Sequence, residues 1–191
     1  MTGRMNFLPP GATYLPGFID ADEERELVQA LDAGKWSAEL KRRVQHFGYR
    51  YDYRARMVTA DAYIGELPVC TASLCRRLET EMPYGGQPDQ MIANEYLPGQ
   101  GISAHVDCVP CFSERIAPLS LLSSCEMIFR KAKTGEKLST ILEPRSLLIL
   151  SGEARYEWTH EIPARKSDVV DGAKQPRTRR ISLTFRTITP A

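Results

Sequence analysis

Apolar residues near the N-terminus follow a helical period. Asp20, with Glu23 three residues later, has the pattern of a capping box at the start of a helix. The apolar residues that follow at helical spacing are Leu27, Val28 and Leu31. Gly34 is a stop signal, so we predict that a first helix ends near this glycine.

A second helix is predicted over residues 71–81, because Leu74 and Leu78 fall on one helical face. Pro83, followed by Gly85 and Gly86, is predicted to end it, since neither residue type favours continuation of a helix. Both predicted helices therefore lie before residue 90.

From residue 90 the pattern changes to short apolar segments separated by turn signals. The predicted strands are residues 91–96, 119–122, 126–129, 139–142, 147–150 and 180–186. Thr134 and Gly135 mark a hairpin turn, and residues 147–150 are wholly apolar, as in a strand covered on both faces. We predict one domain over residues 1–191 that is mainly β. Residues 1–89 form N-terminal helices and a basic substrate lid, and residues 90–191 form a jelly-roll catalytic core.

Composition narrows the class of protein but does not choose a function. The 191 residues are 42% hydrophobic and 26% charged with a net charge of +1, which is ordinary for a globular domain. No apolar run is long enough for a membrane span or a signal peptide, so we expect a cytoplasmic protein. We also expect a monomer. Five cysteines, an odd number, fit mostly reduced thiols, and we expect Cys108 and Cys111 to be free.

The three histidines include a candidate metal site. His105 and Asp107 are two residues apart, so an extended chain projects both side chains to the same face. His160 is the candidate third ligand, and two histidines with one carboxylate leave open positions that suit non-heme Fe(II). The alternative is that His105 is a surface histidine and His160 a core histidine.

The last strand offers a candidate anion site. Arg180, Ser182, Thr184 and Arg186 share one face of it, opposite Leu183 and Phe185. That polar face lines either solvent or a polar cavity, and a guanidinium suits a dicarboxylate such as 2-oxoglutarate. Asn94 and Tyr96 share a face of an earlier strand and are further candidates for binding this co-substrate.

Together these motifs resemble the AlkB family of dioxygenases over residues 90–187. The matching stretches are NEYLPG at residues 94–99, ISAHVD at 102–107, His160, and RISLTFR at 180–186. Further stretches resemble family members that hydroxylate a modified wobble uridine in tRNA, and they include VQHFGY at 44–49 and GEARYEWTH at 152–160.

The resemblance implies a double-stranded β-helix that uses Fe(II), 2-oxoglutarate and O₂ and hydroxylates or oxidatively demethylates an alkylated base in DNA or RNA. It implies that His105, Asp107 and His160 bind the metal and that Arg180 pairs with the far carboxylate of the co-substrate. One position departs from the family's repair members, which have an acidic residue where Val109 stands here. The alternatives are therefore a protein or small-molecule substrate, or a nucleic-acid-binding domain without activity.

A basic segment interleaved with aromatic residues is the candidate contact with single-stranded or modified nucleic acid, DNA or tRNA. Its candidate substrate residues are Arg42, Arg43, His46, Tyr49, Arg50 and Tyr51. A second basic segment spans residues 165–179. Solvated loop faces are the alternative explanation for both segments.

Overall fold

The computed structural model describes residues 7–80 and 86–189, which are mainly antiparallel β. In chain order the strands are β1 Ala12–Leu15, β2 Arg43–Tyr49, β3 Tyr63–Gly65, β4 Gln90–Tyr96, β5 Ile102–His105, β6 Phe112–Leu121, β7 Cys125–Lys131, β8 Lys137–Leu142, β9 Leu147–Leu150, β10 Trp158–Ile162, β11 Ser167–Val170, β12 Ala173–Pro176 and β13 Arg180–Ile188. The helices are α1 Ala21–Ala33, α2 Ala72–Thr80 and α3 Gly152–Tyr156.

In the described part of the chain these strands form two main sheets. The major sheet has the order β1-β9-β6-β13-β4-β2-β3, and the minor sheet has the order β5-β10-β7-β8. Strands β11 and β12 form a separate hairpin. Neighbouring strands run antiparallel throughout, and the predicted jelly-roll class is confirmed.

The major sheet is buried on both faces near its centre. Its outer face packs against Leu27 and Leu31 of α1 and Leu74 and Leu78 of α2. The apolar residues that it presents to them include Met91, Leu119, Leu183 and Phe185. A second cluster, with Phe129 and Trp158, joins its inner face to the minor sheet. The inner face therefore borders the space between the sheets.

Helix α1 begins as the sequence predicts. The side chain of Asp20 accepts the backbone N–H groups of Asp22 and Glu23, and the Glu23 carboxylate accepts the N–H of Asp20. Helix α2 is described as Ala72–Thr80, and its predicted end at residues 81–85 lies outside the described residues. No helix in the described ranges is long and apolar enough to cross a membrane.

The N-terminal part contributes strands that the sequence pattern did not reveal. Strand β2, which lies in the region predicted to form only helices and the substrate lid, pairs with β4 inside the major sheet. Gly48 has φ +75°, and a Cβ on it would lie 1.9 Å from the carbonyl oxygen of Asp89. Only glycine fits there, because a Cβ would overlap that carbonyl and φ is positive.

The β7–β8 hairpin and strand β9 agree with the predictions. Residues Arg130 and Lys137 are paired across the turn that contains Thr134 and Gly135, and Gly135 has φ +73°. All four residues of β9 are buried, as their continuous apolar pattern predicts.

Candidate active site

Two adjacent strands of the minor sheet bring the histidines together. His105 is the last residue of β5 and is paired with His160 of β10, so their ring centroids lie 4.4 Å apart. Asp107 follows two residues after His105. One ligand atom from each of the three residues lies within 4.8 Å of the other two, which is compact enough to bind a single ion.

Hydrogen bonding orients the first histidine. The Nδ1 of His105 lies 2.8 Å from the carbonyl oxygen of Ser103. Because a carbonyl only accepts, Nδ1 carries the proton and Nε2 keeps its lone pair for a metal. Burial, with the neighbouring His105, lowers the pKa of His160 to about 4. The His160 ring can therefore act as a neutral ligand near pH 7.

The two carboxylate oxygens of Asp107 have different partners, since one accepts from a guanidinium and the other faces the metal position. Arg186 donates from Nε (3.1 Å) and Nη2 (2.7 Å) to Oδ1, while Oδ2 lies 3.5 Å from Nε2 of His160. Burial alone raises the pKa of Asp107, but Arg186 and the two imidazoles outweigh it and hold this pKa well below its usual range. The residue is thus a carboxylate with one oxygen directed at the metal position.

A buried arginine that sequence reasoning did not select holds the backbone of this loop. Arg155 of α3 is only 2% exposed. Its guanidinium donates to the carbonyl oxygens of Asp107 (2.9 Å), Cys108 (3.2 Å) and Phe112 (3.4 Å). The fixed fork of a guanidinium suits three carbonyls at once, so Arg155 positions the segment that carries Asp107.

Strand β13 turns its polar face inward rather than to solvent. Ser182, Thr184 and Arg186 line a cavity of about 550 Å³ whose floor carries the metal triad. Asn94 and Tyr96 of the neighbouring β4 line the same cavity. Register explains this arrangement, since Arg180, Ser182 and Arg186 are paired with Tyr96, Asn94 and Gln90.

Arg180 lies behind Tyr96. It borders a small adjoining cavity that shares Tyr96 and Ile162 with the main one, and its guanidinium carbon lies 5.4 Å from the centre of the Tyr96 ring. Its Nη2 donates to Oγ of Ser120 at 2.8 Å. Its Nε and Nη1 are buried and have no hydrogen-bond partner among the described residues. A buried cation with free donors fits a carboxylate ligand, because leaving it unpaired is costly.

The six candidate substrate residues separate into two groups. Arg42 and Tyr51 line the main cavity, and Nε of Arg42 donates to Oδ1 of Asn94 at 2.9 Å. The other four candidates do not line this cavity. Two of them form ion pairs, Arg43 with Glu95 and Arg50 with Glu39. The other two pack against tyrosines, His46 against Tyr53 and Tyr49 against Tyr63.

Other cavity residues escaped the sequence analysis as individual site candidates. They include Lys41, Tyr53, Arg56 and Phe112, all of which line the main cavity. The Phe112 ring stacks on the Arg186 guanidinium at 4.7 Å, and Tyr51 packs against Phe112 at 5.8 Å. Spacing along the chain gives no signal for such contacts, since residues 51 and 112 meet only through the fold.

The expectation of free thiols after the metal motif is wrong. Cys108 and Cys111 are joined by a disulfide, and their Cα atoms lie 5.3 Å apart. A tight loop with two residues between the cysteines brings the sulfurs together, which the odd cysteine count does not reveal. Cys70, Cys75 and Cys125 are free, as expected.

Comparison with known proteins now defines the class. The sequence profile of the 2OG-Fe(II) oxygenase superfamily matches residues 11–186, so the chain belongs to this superfamily and, by its relatives, to the AlkB homologues within it. This class uses Fe(II), 2-oxoglutarate and O₂, and the chain is therefore a 2-oxoglutarate-dependent dioxygenase. The triad and the free donors of Arg180 fit the metal and the co-substrate.

The AlkB relatives cover most of this chain. It is 37% identical to the "Alkylated DNA repair protein ALKBH8 homolog" of Arabidopsis thaliana over 94% of its own length and 58% of that protein. It is 38% identical to the mouse "tRNA (carboxymethyluridine(34)-5-O)-methyltransferase ALKBH8" over 88% of its length but only 26% of the relative's. The bovine mitochondrial "alkB homolog 7" is 31% identical, with 95% and 80% covered.

Solved structures support the fold. The solved structure of OsALKBH1 superposes with a TM-score of 0.69 at 17% identity, covering 95% of this chain and 99% of that chain. A Pseudomonas putida prolyl-4-hydroxylase superposes with a TM-score of 0.58 at 18% identity, covering 93% and 92%.

Proposed function

We propose that this dioxygenase hydroxylates or oxidatively demethylates a modified base in a single-stranded segment of nucleic acid. The supporting observation is that the cavity with the metal triad is also lined by aromatic and cationic side chains. The aromatic residues are Tyr51, Tyr53 and Phe112, and the cations, which we call the cationic rim, are Lys41, Arg42 and Arg56. When bound, Fe(II) with 2-oxoglutarate and O₂ supplies the oxidising chemistry for a C–H bond. The printed names of the relatives that refer to DNA repair and tRNA modification agree with this substrate class.

The walls of the cavity suit a planar base. Tyr51 and Tyr53 line one side, and their rings lie 5.2 Å apart at 84°. Aromatic faces stack on any base, so they contribute affinity without requiring one sequence. Arg42, whose Nε donates to Asn94, supplies a polar group in the same cavity that can hold the edge of an extruded base.

The cationic rim indicates where a phosphate would lie. A groove of about 450 Å³ is continuous with the catalytic cavity, and Lys41, Arg42, Gly101, Ile102, Ser103 and Ile162 form walls of both. Lys41 is exposed and has no acidic partner among the described residues. A free ammonium on a shared wall is suited to the phosphate beside the target base.

A second groove adjoins the cavity at Leu40, Tyr51 and Tyr53, and it is more acidic than the Lys41 groove, whose lining has one carboxylate, that of Glu161. It measures about 730 Å³ and contains the carboxylates of Glu39, Asp52 and Asp61 with only two arginines. Arg50, one of these arginines, already pairs with Glu39 at 2.6 Å. The negatively charged nucleic-acid chain is therefore expected to leave the cavity along the groove that contains Lys41.

Binding as a function of salt tests this proposal. We expect single-stranded DNA and tRNA to bind more weakly as salt rises, and Lys41→Ala to reduce the slope of log K against log salt by about 1. The matched control is Lys133→Ala, in the β7–β8 turn away from the cavity. Turnover of an isolated modified nucleoside, which has no phosphate, should be the same in wild type and Lys41→Ala.

Two outcomes of this experiment discriminate the substrate classes. If tRNA and DNA both bind without salt dependence, while 2-oxoglutarate is still converted to succinate, the nucleic-acid proposal fails. The remaining candidate would then be a protein or a small molecule. Val109, an exposed residue, stands where the family's repair members have an acidic residue, and this favours such a substrate over an alkylated adenine. Higher affinity for tRNA than for DNA of equal length would select RNA.

A further inference from the structure

The loop between Asp107 and β6 contains a pair of sulfurs that the oxygenase reaction does not use. Cys108 follows the metal ligand directly, is half-buried and lines the catalytic cavity. Cys111 is buried at the start of β6. The disulfide between them closes a small ring that contains Val109 and Pro110. One of the two sulfurs is therefore reachable from the cavity.

The pair contacts a turn that also borders the cavity, which we call the lid turn (residues 52–57). Asp52 and Met57 are hydrogen-bonded to each other through both backbones. The Asp52 carboxylate also accepts the N–H groups of Arg54 and Ala55. Arg56, which lines the cavity, has φ +54°, a left-handed conformation that is disfavoured for residues other than glycine.

The two sulfurs converge on one backbone atom of this turn. The carbonyl oxygen of Arg56 lies 3.3 Å from Sγ of Cys108 and 3.6 Å from Sγ of Cys111. No backbone N–H in the described part of the chain donates to this oxygen. A thiol can donate an S–H hydrogen bond to it, whereas a disulfide has no hydrogen to donate.

We propose that Cys108 and Cys111 form a reversible dithiol–disulfide site that controls how firmly the lid turn is held over the catalytic cavity. In the dithiol form the Cys108 thiol, the sulfur nearer the Arg56 carbonyl, donates to that carbonyl and stabilises its left-handed conformation. In the disulfide form the carbonyl lacks this donor, and the lid turn opens more often. The site acts on the oxygenase cavity itself, so the inference does not depend on which substrate is used.

The redox chemistry needs only small reagents. The Cys108 thiol, which faces the cavity, attacks hydrogen peroxide and becomes a sulfenic acid with release of one water. The Cys111 thiol then attacks this sulfur, forming the S–S bond and releasing the second water. A dithiol reductant reverses the step by exchange, leaving two thiols on the protein and a disulfide in the reductant. The buried Cys111 is the resolving partner.

Hydrogen exchange of the metal-free protein tests the inference. Iron is removed because bound Fe(II) would itself react with peroxide. We expect amides of residues 52–57 to exchange about three- to tenfold more slowly in the dithiol form than after peroxide treatment, the range expected from loss of one hydrogen bond. Cys111→Ser should show no response to peroxide in these amides. Cys70→Ser, which removes a free thiol elsewhere, should respond like the wild type.

Equal exchange of the lid turn in the two redox forms, with disulfide formation verified by the mass lost, would overturn the inference. A protein that forms no Cys108–Cys111 disulfide with peroxide would overturn it as well. Should Cys111→Ser not fold, Cys108→Ser serves in the same comparison, because exchange needs no activity. Loss of salt-dependent nucleic-acid binding would not affect these outcomes and bears only on the proposed function.

Discussion

The two main sheets divide the chemistry between them. The minor sheet contributes His105 and His160 from β5 and β10, with Asp107 on the loop that follows β5. The major sheet contributes the residues expected to hold the co-substrate, Arg180 and Arg186, on a strand whose neighbours cover both edges. Each half of the site alone is incomplete, because the metal and 2-oxoglutarate must share one cavity.

The difference in burial shows how each half is kept in place. Strand β13 is buried from Arg180 to Arg186, so packing on both faces fixes its side chains. Strand β5 is partly exposed along its length, and the loop that follows it is held by hydrogen bonds from Arg155 and Arg186 to Asp107. The major sheet thus supplies a rigid wall, and the minor sheet supplies ligands held by a polar network.

The largest expected effect comes from the minor sheet. His105→Ala or Asp107→Ala should reduce the conversion of 2-oxoglutarate to succinate to the level without protein, because two remaining ligands cannot hold Fe(II) firmly. His46→Ala, a histidine outside the main cavity, is the control for activity. Normal turnover in either ligand variant would remove the basis for the metal assignment.

Packing in the major sheet should dominate stability. Phe185→Ala deletes a fully buried ring between the sheet and the helices and should cost about 3–5 kcal/mol in the free energy of unfolding. Leu138→Ala, at a partly buried position of β8, should cost clearly less. Urea unfolding of both variants measures the contrast, and equal losses would contradict a more rigid major sheet.

Arg180→Met should weaken the co-substrate half without disturbing the metal half. Loss of a buried charge-assisted hydrogen bond predicts that the KM for 2-oxoglutarate rises about 10- to 100-fold. Mn(II) binding, measured as a stand-in for Fe(II), should be unchanged. Arg130→Met, on a half-exposed arginine of β7, provides the matched control. An unchanged KM would show that another cation binds the far carboxylate.

The smallest effect concerns the ion pairs at the edge of β4. Arg43 (2.6 Å) and Arg179 (2.7 Å) donate to the Glu95 carboxylate and lower its pKa. Because the folded-state pKa lies below the unfolded value of about 4.3, the stabilisation is present above that pH and is lost as pH falls through the folded pKa. Glu95→Gln should lower the free energy of unfolding by about 1–2 kcal/mol at pH 7 and make it less dependent on pH in the acid range. The exposed control Glu136→Gln should change neither.

Much of the site was visible in the sequence because its residues lie on regular strands. Period-two spacing placed Ser182, Thr184 and Arg186 on one face, and the structure turns that face into the cavity. The pattern did not separate solvent from a polar interior, because both accept the same residue types. Only the burial of β13 between β6 and β4 decides this.

The sequence by itself determined the β class, the helix start at Asp20 and the hairpin at Gly135, and it indicated His105, Asp107 and His160 as candidate metal ligands, since these follow from local periodicity and residue chemistry. Tertiary structure decided which strands adjoin, that Arg180 lies behind Tyr96, that Arg155 holds the Asp107 loop and that the lid turn meets Cys108. Those contacts join residues far apart in the chain. Their formation depends on packing of both sheets together, which no local pattern encodes.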